Sequence, residues 1–426
     1  MQRPMPHTDR LPHALYRAAQ VRSLDRAAIE DEGIPGAELM ERAGSAAYRL
    51  LRKNWPAAKD VTLVCGVGNN GGDGYVVARL ARADGLRVRV LQLGDPEKLH
   101  GDALAMAQAY RAAGGETSVY AALPRHTDLI VDAVLGTGLE REVTGVWGEA
   151  LAAMNAHRAP VLGIDIPSGL HADTGRVLGV AVEAAATISF IGLKQGMFTG
   201  AGPACCGEII FDALGVPAVV YAREVLSARR LDWAQQSTLL RPRRRTAHKG
   251  DFGRVLVVGG GPGFSGAARL AGEAAARTGA GLVALASHPS HAAWLNLTRP
   301  ELMCHGVADA AQLAPLLAWA GVVAVGPGLG RNDWSRRLLG AALQAQRPLV
   351  VDADALNLLA LQPRRGSNWV LTPHPGEAAR LLDTEVSAIE RDRFRSVRRL
   401  QERYGGVVVL KGAGTLILGT ANKPPG

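Results

Sequence analysis

At 426 residues the chain exceeds an ordinary single domain, and two domains are the natural reading. Hydrophobic residues make up 47% and charged residues 20%, with 51 glycines and only 5% aromatics, a balance that excludes a disordered chain and points to an α/β protein with many tight turns. The net charge of +9 raises the question of nucleic acid, but the excess is spread over presumed solvated helix faces (Arg391, Arg393, Arg395, Arg398, Arg399) and a linker cluster at residues 241–245. No aromatic interleaving or helix-turn-helix pattern accompanies it, so no nucleic-acid partner is expected.

The longest apolar runs fall far short of the ~20 residues that a membrane helix needs, and the first dozen residues hold Pro, His and Arg without an apolar h-region. Cys65, Cys205, Cys206 and Cys304 have no metal-like spacing, and the adjacent pair Cys205–Cys206 is ill-suited to an ordinary disulfide. A cytoplasmic location and no membrane partner are expected.

The segment from Leu15 to Arg52 reads as helical, with Leu39, Met40, Ala43, Ala47, Leu50 and Leu51 on one face. A β/α alternation follows, with strands at Val61–Cys65, Arg87–Leu93, Asp128–Leu135 and Pro160–Ile166. Helices at Tyr75–Arg82, Asp102–Ala113 and Gly148–Ala156 separate them, and strands at Thr187–Ile191 and Glu208–Phe211 come after. Apolar strands joined through helices imply a mostly parallel sheet covered on both faces.

A second start is visible after the Arg-rich stretch. Arg254–Val258, Gly281–Ala286, Val322–Val325, Pro348–Val351, Trp369–Leu371 and Val407–Leu410 read as strands, and Gly266–Thr278 as a helix. The sequence therefore predicts two tandem α/β domains, residues 1–225 and 226–426.

Two turns match G-x-G-x-x-G, at Gly66–Gly68–Gly71 and Gly261–Gly263–Gly266. In a chain so rich in glycine each match is weak evidence for a dinucleotide fold. The first also places Asp73 at the start of a helix, where a carboxylate competes with a phosphate for the helix amides. Amide and carboxylate groups there suit hydroxyls or a cation, or simply a tight turn capped by Asp73. Asp132 lies within the next apolar strand, before a Gly-Thr-Gly turn, and Asp165 and Ser168 end the strand after that. The carboxyl ends of neighbouring parallel strands converge on one crevice, where Asn70, Asp132 and Ser168 would offer hard oxygen donors to a cation. Asp165, flanked by Ile164 and Ile166, would be partly desolvated, which suits a carboxyl to acid/base work.

Three motifs, Asn69-Asn-Gly-Gly-Asp-Gly74, Val131-Asp-Ala-Val-Leu-Gly-Thr-Gly138 and Asp165-Ile-Pro-Ser-Gly169, occur in order at strand ends. Over about residues 13–222 the chain resembles the NAD(P)H-hydrate epimerases. That resemblance implies a Rossmann-like three-layer α/β/α sandwich. It implies substrates that are the hydrates of NADH and NADPH, which carry an added hydroxyl at C6 of the nicotinamide ring. It further implies that Asn69, Asn70, Gly71, Gly72 and Asp73, the turn Gly136, Thr137, Gly138, Leu139, Glu140 and Arg141, and Asp165 contact the hydrate. Asn70, Asp132 and Ser168 would hold a potassium ion, and Asp165 would be the acid/base residue. Lys194 stands where the family also has a lysine, and two readings stay open: it neutralises substrate phosphates, or its stem lies along the surface with the ammonium in water.

In the second half Lys249-Gly-Asp-Phe-Gly, Gly261–Arg269, Gly326-Pro-Gly-Leu-Gly330, Asp352-Ala-Asp-Ala-Leu-Asn357, Thr372-Pro-His-Pro-Gly-Glu377 and Lys411-Gly-Ala-Gly-Thr415 follow one another. Their order resembles the ADP- or ATP-dependent NAD(P)H-hydrate dehydratases, which have a ribokinase-like fold. By that resemblance Ala267, Gly328 and His374 line a hydrate site, and Lys411, Gly412, Ala413, Gly414 and Thr415 cradle nucleotide phosphates. ADP and magnesium would serve the reaction. The family continues to a Gly-Gly-x-Gly-Asp segment that these 426 residues do not contain, so the second domain is expected to be truncated at its C-terminus. A homo-oligomer is expected. The alternatives are an epimerase domain fused to a small-molecule kinase, and a non-catalytic binding module.

Overall fold

The alternation of apolar strands and Ala-rich helices becomes two parallel sheets in the computed structural model, which describes residues 11–419. The chain divides into two units between Leu240 and Arg241.

The first unit runs β1 (Ala14–Leu15), α1 (Ala18–Glu30), α2 (Gly36–Asn54), β2 (Asp60–Cys65), α3 (Asn69–Ala83), β3 (Arg87–Gln92), α4 (Gly101–Ala112) and β4 (Thr117–Val119). It continues with β5 (Leu129–Ala133), α5 (Gly145–Ala156), β6 (Val161–Ile164), β7 (Ala186–Phe190), α6 (Gly202–Cys205), β8 (Glu208–Asp212), α7 (Ala218–Tyr221), β9 (Ala228–Arg229) and α8 (Trp233–Ser237). Seven of its strands form one sheet, in the order β4-β3-β2-β5-β6-β7-β8, and every pair in it is parallel.

Period-two alternation explains how this sheet is covered on both faces. On β2 and β5, Val61, Leu63, Cys65, Leu129, Val131 and Ala133 enter one core with α1 to α4. Val64 and Ile130 enter another with Ala150, Leu151 and Met154 of α5. The three-layer sandwich expected from sequence is the result. Chain order reverses at β2, from which β3 and β4 run one way and β5 to β8 the other. The loops after β2 and β5 therefore diverge and leave a crevice.

Three sequence expectations need correction here. The single long N-terminal helix is two helices, α1 and α2, broken around Gly33 (φ +67°) and Pro35, because proline cannot continue a helix and a left-handed residue reverses its path. Helix α3 starts at Asn69, not Tyr75, so Asn69-Asn-Gly-Gly-Asp-Gly74 forms its first turns and is not a loop. Asparagine and glycine are poor helix formers, but packing requires them. A Cβ at Gly71 would lie 2.0 Å from the Gly66 carbonyl oxygen, and one at Gly74 would lie 2.6 Å from Ala133 Cβ. Third, residues 226–240, which the sequence reading gave to the second domain, belong to the first unit. There β9 pairs antiparallel with β1, and Arg230 donates to the carbonyls of Leu11 and Pro12 at 3.0 and 3.2 Å.

The second unit runs β10 (Arg254–Val258), α9 (Ser265–Arg277), β11 (Leu282–Ser287), β12 (Met303–Gly306), α10 (Ala310–Trp319), β13 (Val322–Val325), α11 (Asp333–Gln344) and β14 (Leu349–Val351). Then come α12 (Asp354–Leu361), β15 (Trp369–Leu371), α13 (Pro375–Leu382), α14 (Val386–Arg391), α15 (Arg393–Tyr404), β16 (Val407–Leu410) and β17 (Leu416–Leu418). The sheet order is β12-β11-β10-β13-β14-β15-β16-β17, with only β17 antiparallel to its neighbour among the described residues. Here the reversal falls at β10, and the loops after β10 and β13 diverge in the same way. Arg393, expected on a solvated helix face, is buried instead. It donates to the carbonyls of Leu410 and Lys411 at 3.3 and 3.1 Å and to Glu390 at 3.0 Å. Those acceptors offset the cost of taking its charge out of water.

Candidate active site

In the first unit the crevice at the reversal of strand order is a cavity of about 710 Å³, within the size range of small-molecule sites. Its walls come from Gly68 and the start of α3 (Asn69, Asn70, Asp73), the turn Val134–Arg141 after β5, Asp165 after β6, and Phe190 and Ile191 at the end of β7. Helices α1 and α2 close it with Val21, Arg22, Asp25, Ile29, Leu39 and Met40. Of the residues expected to bind substrate there, Asn69, Asn70, Asp73, Gly136 to Arg141 and Asp165 line the cavity. Gly71 and Gly72 lie behind them, filling the close approach of α3 to its neighbours.

Asp165 is the first residue after β6 and holds a left-handed backbone, φ +68°, a conformation that costs a non-glycine residue energy and is retained where surrounding structure enforces it. Its amide donates to the Ile188 carbonyl at 2.7 Å, which holds the turn against β7. The side chain, 18% exposed, forms an ion pair with Lys194, whose own side chain is fully buried. Lys194 also donates to Ser189 Oγ at 3.0 Å and to the Phe190 carbonyl at 3.3 Å. The reading of Lys194 as a surface lysine with its ammonium in water does not survive: the ammonium is buried and faces Asp165. Nor is Asp165 a lone desolvated carboxyl, since a cation sits on it.

Asp132 is buried in the middle of the sheet, between Val64 on β2 and Gly163 on β6. Its carboxylate accepts from Ser168 Oγ at 2.6 Å, the Ser168 amide at 2.8 Å and the Val134 amide at 3.3 Å. Burial pushes the carboxyl up to about 6, and the bonds from Ser168 and Val134 oppose that rise only in part. Ser168 Oγ also meets the amide and carbonyl of Leu135, at 2.8 and 3.2 Å. Asn70 is buried, and both atoms of its side-chain amide lack a hydrogen-bond partner. A buried amide without partners is costly, and it lies where a ligand would satisfy it. A Cβ on Gly136 would be 3.6 Å from Asn70 Cβ and 3.7 Å from Asp165 Oδ2, so Asn70, Gly136 and Asp165 border one space.

Sequence reasoning missed Asp25 and Arg22 of α1. Asp25 faces Asp165, Lys194 and Asp102, and its carboxyl is raised by burial and by the neighbouring carboxylates. The Arg22 guanidinium donates to the Thr137 carbonyl at 3.3 Å across the cavity. No motif marks either residue, because α1 is joined to the site only through tertiary packing.

In the second unit the expected residues fall into two groups. Ala267 on α9 and Gly328 after β13 meet at the reversal point: Gly328 has φ +59°, and a Cβ there would lie 3.1 Å from Ala267 Cβ. Lys411 extends from β16 beside the loop after β15. Its amide donates to the Pro373 carbonyl at 2.9 Å, and its ammonium bonds Asp352 Oδ1 after β14 at 2.9 Å. His374 caps α13, accepting from the Gly376 amide at 3.0 Å, while Glu377 accepts from the His374 amide at 2.9 Å. The Gly412–Thr415 turn follows Lys411, and Thr415 Oγ1 donates to the Gly412 carbonyl at 3.3 Å.

Both units match known families. Residues 36–196 match the model described as YjeF-related protein N-terminus, and residues 255–423 the model described as NAD(P)H-hydrate dehydratase. The chain is 48% identical over 407 residues to the bifunctional NAD(P)H-hydrate repair enzyme Nnr of Coxiella burnetii, covering 95% of this chain and 83% of that one. The chain belongs to the bifunctional NAD(P)H-hydrate repair enzymes. The Nnr enzymes of Escherichia coli (44% identity, 96% of this chain, 79% of that one) and Vibrio cholerae (41%, 96% and 83%) are similar along the same span. As in those bifunctional relatives, this repair enzyme carries both family domains, which argues against a fusion to an unrelated kinase or a non-catalytic module. No described helix is long and apolar enough to cross a membrane.

Proposed function

We propose that the first unit interconverts the R and S hydrates of NADH and NADPH in the cavity at the ends of β2, β5 and β6. The observation that carries this is the Asp165–Lys194 ion pair facing a cavity walled by the orphaned Asn70 amide and the Gly136–Arg141 turn. At C6 the substrate carries a hydroxyl beside the ring nitrogen, so the C–O bond ionises readily once its oxygen is protonated. Asp165 serves as an acid/base group in this exchange, held in position by Lys194 and by its own strained turn. Lys194 is taken up by this pairing. The cations left among the cavity-lining residues are Arg22 and Arg141, both at the exposed rim, and they meet the substrate phosphates. Asn69 to Asp73 and Gly136 to Arg141 line the nicotinamide end.

Potassium fits the first unit. Asn70 Oδ1 lacks a partner, Asp132 is a buried carboxylate, and Ser168 Oγ joins it, an all-oxygen set suited to a hard cation. Asn70, Asp132 and Ser168 would hold the ion, which would fix the loops after β2, β5 and β6 relative to one another. The pH dependence follows from Asp132. Its native carboxyl is raised to about 6 from 3.8, so from pH ~4 upward the native state retains a proton that the unfolded chain gives up. Stability then falls as pH rises to about 6, and the full cost of the buried charge, about 3 kcal/mol by linkage, is present above that. A bound cation removes this cost. Replacing sodium with potassium at equal ionic strength should therefore raise the thermal midpoint more at pH 7.5 than at pH 5, and Asp132→Ala should abolish the difference. Epimerisation, followed as conversion of an R-enriched hydrate to the R/S mixture, should depend on potassium in the wild type and lose that dependence in Asp132→Ala. Equal rates in the two salts for the wild type would assign Asp132 a structural role only.

The second unit, in this reading, dehydrates the S hydrate to NAD(P)H at the expense of ADP with magnesium. Ala267 and Gly328 lie at the reversal of strand order and border the hydrate. His374 does so from the cap of α13, and Lys411 to Thr415 receive the nucleotide phosphates with a glycine-rich backbone that no side chain obstructs. The thermodynamic pull of the irreversible step draws the R hydrate through the first unit.

A further inference from the structure

The cavity holds a carboxyl that the Asp165–Lys194 pairing leaves without a task. Asp73, in the second turn of α3, is nine-tenths buried and lines the cavity wall. No donor bonds its carboxyl among the described residues. Its oxygens, unlike the sealed Asn70 amide, open to the cavity, and a carboxyl placed there in a helix that could have carried an apolar residue faces whatever the cavity holds.

The groups around Asp73 come from every side of the site. Asp165 and Lys194 face it from the loops after β6 and β7, and Asp25 faces it from α1, with Asp102 of α4 beside Asp25. Burial holds the Asp73 carboxyl well above the ordinary carboxylate range, the negative charges of Asp165 and Asp25 raise it further, and the Lys194 ammonium opposes them. Asp165 has the ammonium on it and Asp73 does not. Two carboxyls in one cavity thus differ in their partners, one ion-paired and one without a donor, and such a pair can divide acid and base roles.

We propose that Asp73 is the proton donor to the departing C6 hydroxyl and that Asp165, paired with Lys194, is the acceptor for the water that returns. The proposal rests on the epimerase reading of this cavity. As the Asp73 proton moves to the hydroxyl oxygen, the C6–O bond breaks and its electron pair leaves with water. The ring-nitrogen lone pair forms a C6=N bond, and Asp73 becomes a carboxylate. Water then forms a new C6–O bond on the other face, its proton passes to the Asp165 carboxylate, and the nitrogen recovers its pair. In the reverse direction the two carboxyls exchange roles, and a proton transfer from Asp165 to Asp73 through cavity water restores the starting state.

The test uses the full chain in potassium buffer with R-enriched NADH hydrate. R/S exchange is measured from pH 5 to 9 for the wild type, Asp73→Asn and Asp73→Glu, with NADH binding measured alongside. Asp73→Asn should lose about 10²–10⁴-fold in exchange rate with NADH affinity within threefold of wild type, and Asp73→Glu should recover part of the rate. The wild-type rate should fall on the alkaline side as Asp73 gives up its proton, and the residual activity of Asp73→Asn should lack that limb. Asp73→Asn within threefold of wild type, or with the same alkaline limb, overturns the assignment. Should Asp73→Asn fail to fold, Asp73→Ala and Asp73→Glu decide: exchange by Asp73→Ala within threefold of wild type, or an Asp73→Glu no faster than Asp73→Ala, overturns it. A wild type that does not accelerate exchange at all would refute the epimerase reading itself, a result distinct from an active wild type matched by Asp73→Asn.

Discussion

Asp165→Asn is expected to slow R/S exchange by about 10²–10⁴-fold, the usual cost of removing an acid/base group, with a smaller loss of stability than alanine causes at the same position. The reason for the second part is geometric. The asparagine oxygen can still accept from Lys194, whose other bonds to Ser189 Oγ and the Phe190 carbonyl remain. The turn itself, held by the Asp165 amide on the Ile188 carbonyl, tolerates asparagine better than most residues because asparagine visits the left-handed region readily. Exchange rate and thermal midpoint measured on the same preparation separate the two effects. A rate within threefold of wild type would remove Asp165 from the chemistry.

Asp165→Ala is expected to behave differently, and here stability is the main readout. Alanine leaves the fully buried Lys194 ammonium without its counter-charge, and removing one partner of a buried pair costs about 3–5 kcal/mol. For a unit of this size that corresponds to a fall of roughly 6–20 °C in its thermal midpoint. Replacing the lysine as well, in Asp165→Ala/Lys194→Met, should recover much of the loss, because the stranded charge is then gone. Lys194→Met alone should cost less than Asp165→Ala, since the remaining carboxylate is 18% exposed and can rehydrate from the cavity. The order Asp165→Ala, then Lys194→Met, from most to least destabilised, is what thermal unfolding of the full chain should show. The reverse order would mean that Lys194 stabilises the fold through contacts other than Asp165.

The features legible in the sequence are those that act locally. Mostly apolar, fully buried strands such as β5 and β7 announce a sheet covered on both faces, and glycine-rich turns after strands announce strand ends. Asp132 and Ser168 could be read as neighbours because the carboxyl ends of adjacent parallel strands converge, and the structure joins them directly by hydrogen bonds. The features that were not legible depend on distant contacts. The start of α3 was hidden because asparagine and glycine argue against a helix, and the close approaches to Gly66 and Ala133 that require them are tertiary. Lys194 was misplaced because lysine is almost never fully buried, and only the fold brings Asp165 to it. Arg393 escaped for the same reason, since its acceptors lie at the far end of β16. Residues 226–240 follow the first unit because β9 finds β1 some two hundred residues earlier in the chain, a pairing that no local pattern encodes.

The central claim is that the cavity of the first unit breaks and remakes the C6–O bond of the hydrate. Exchange in isotopically heavy water tests it most directly. R-enriched NADH hydrate is incubated with the full chain in potassium buffer made with oxygen-18 water, and the epimers are separated and weighed by mass spectrometry. The expected result is that the S epimer forms far faster than in buffer alone and carries one heavy oxygen, with the acceleration lost in Asp165→Asn. An S epimer that forms no faster than in buffer, or that forms rapidly while keeping its original oxygen, would contradict it.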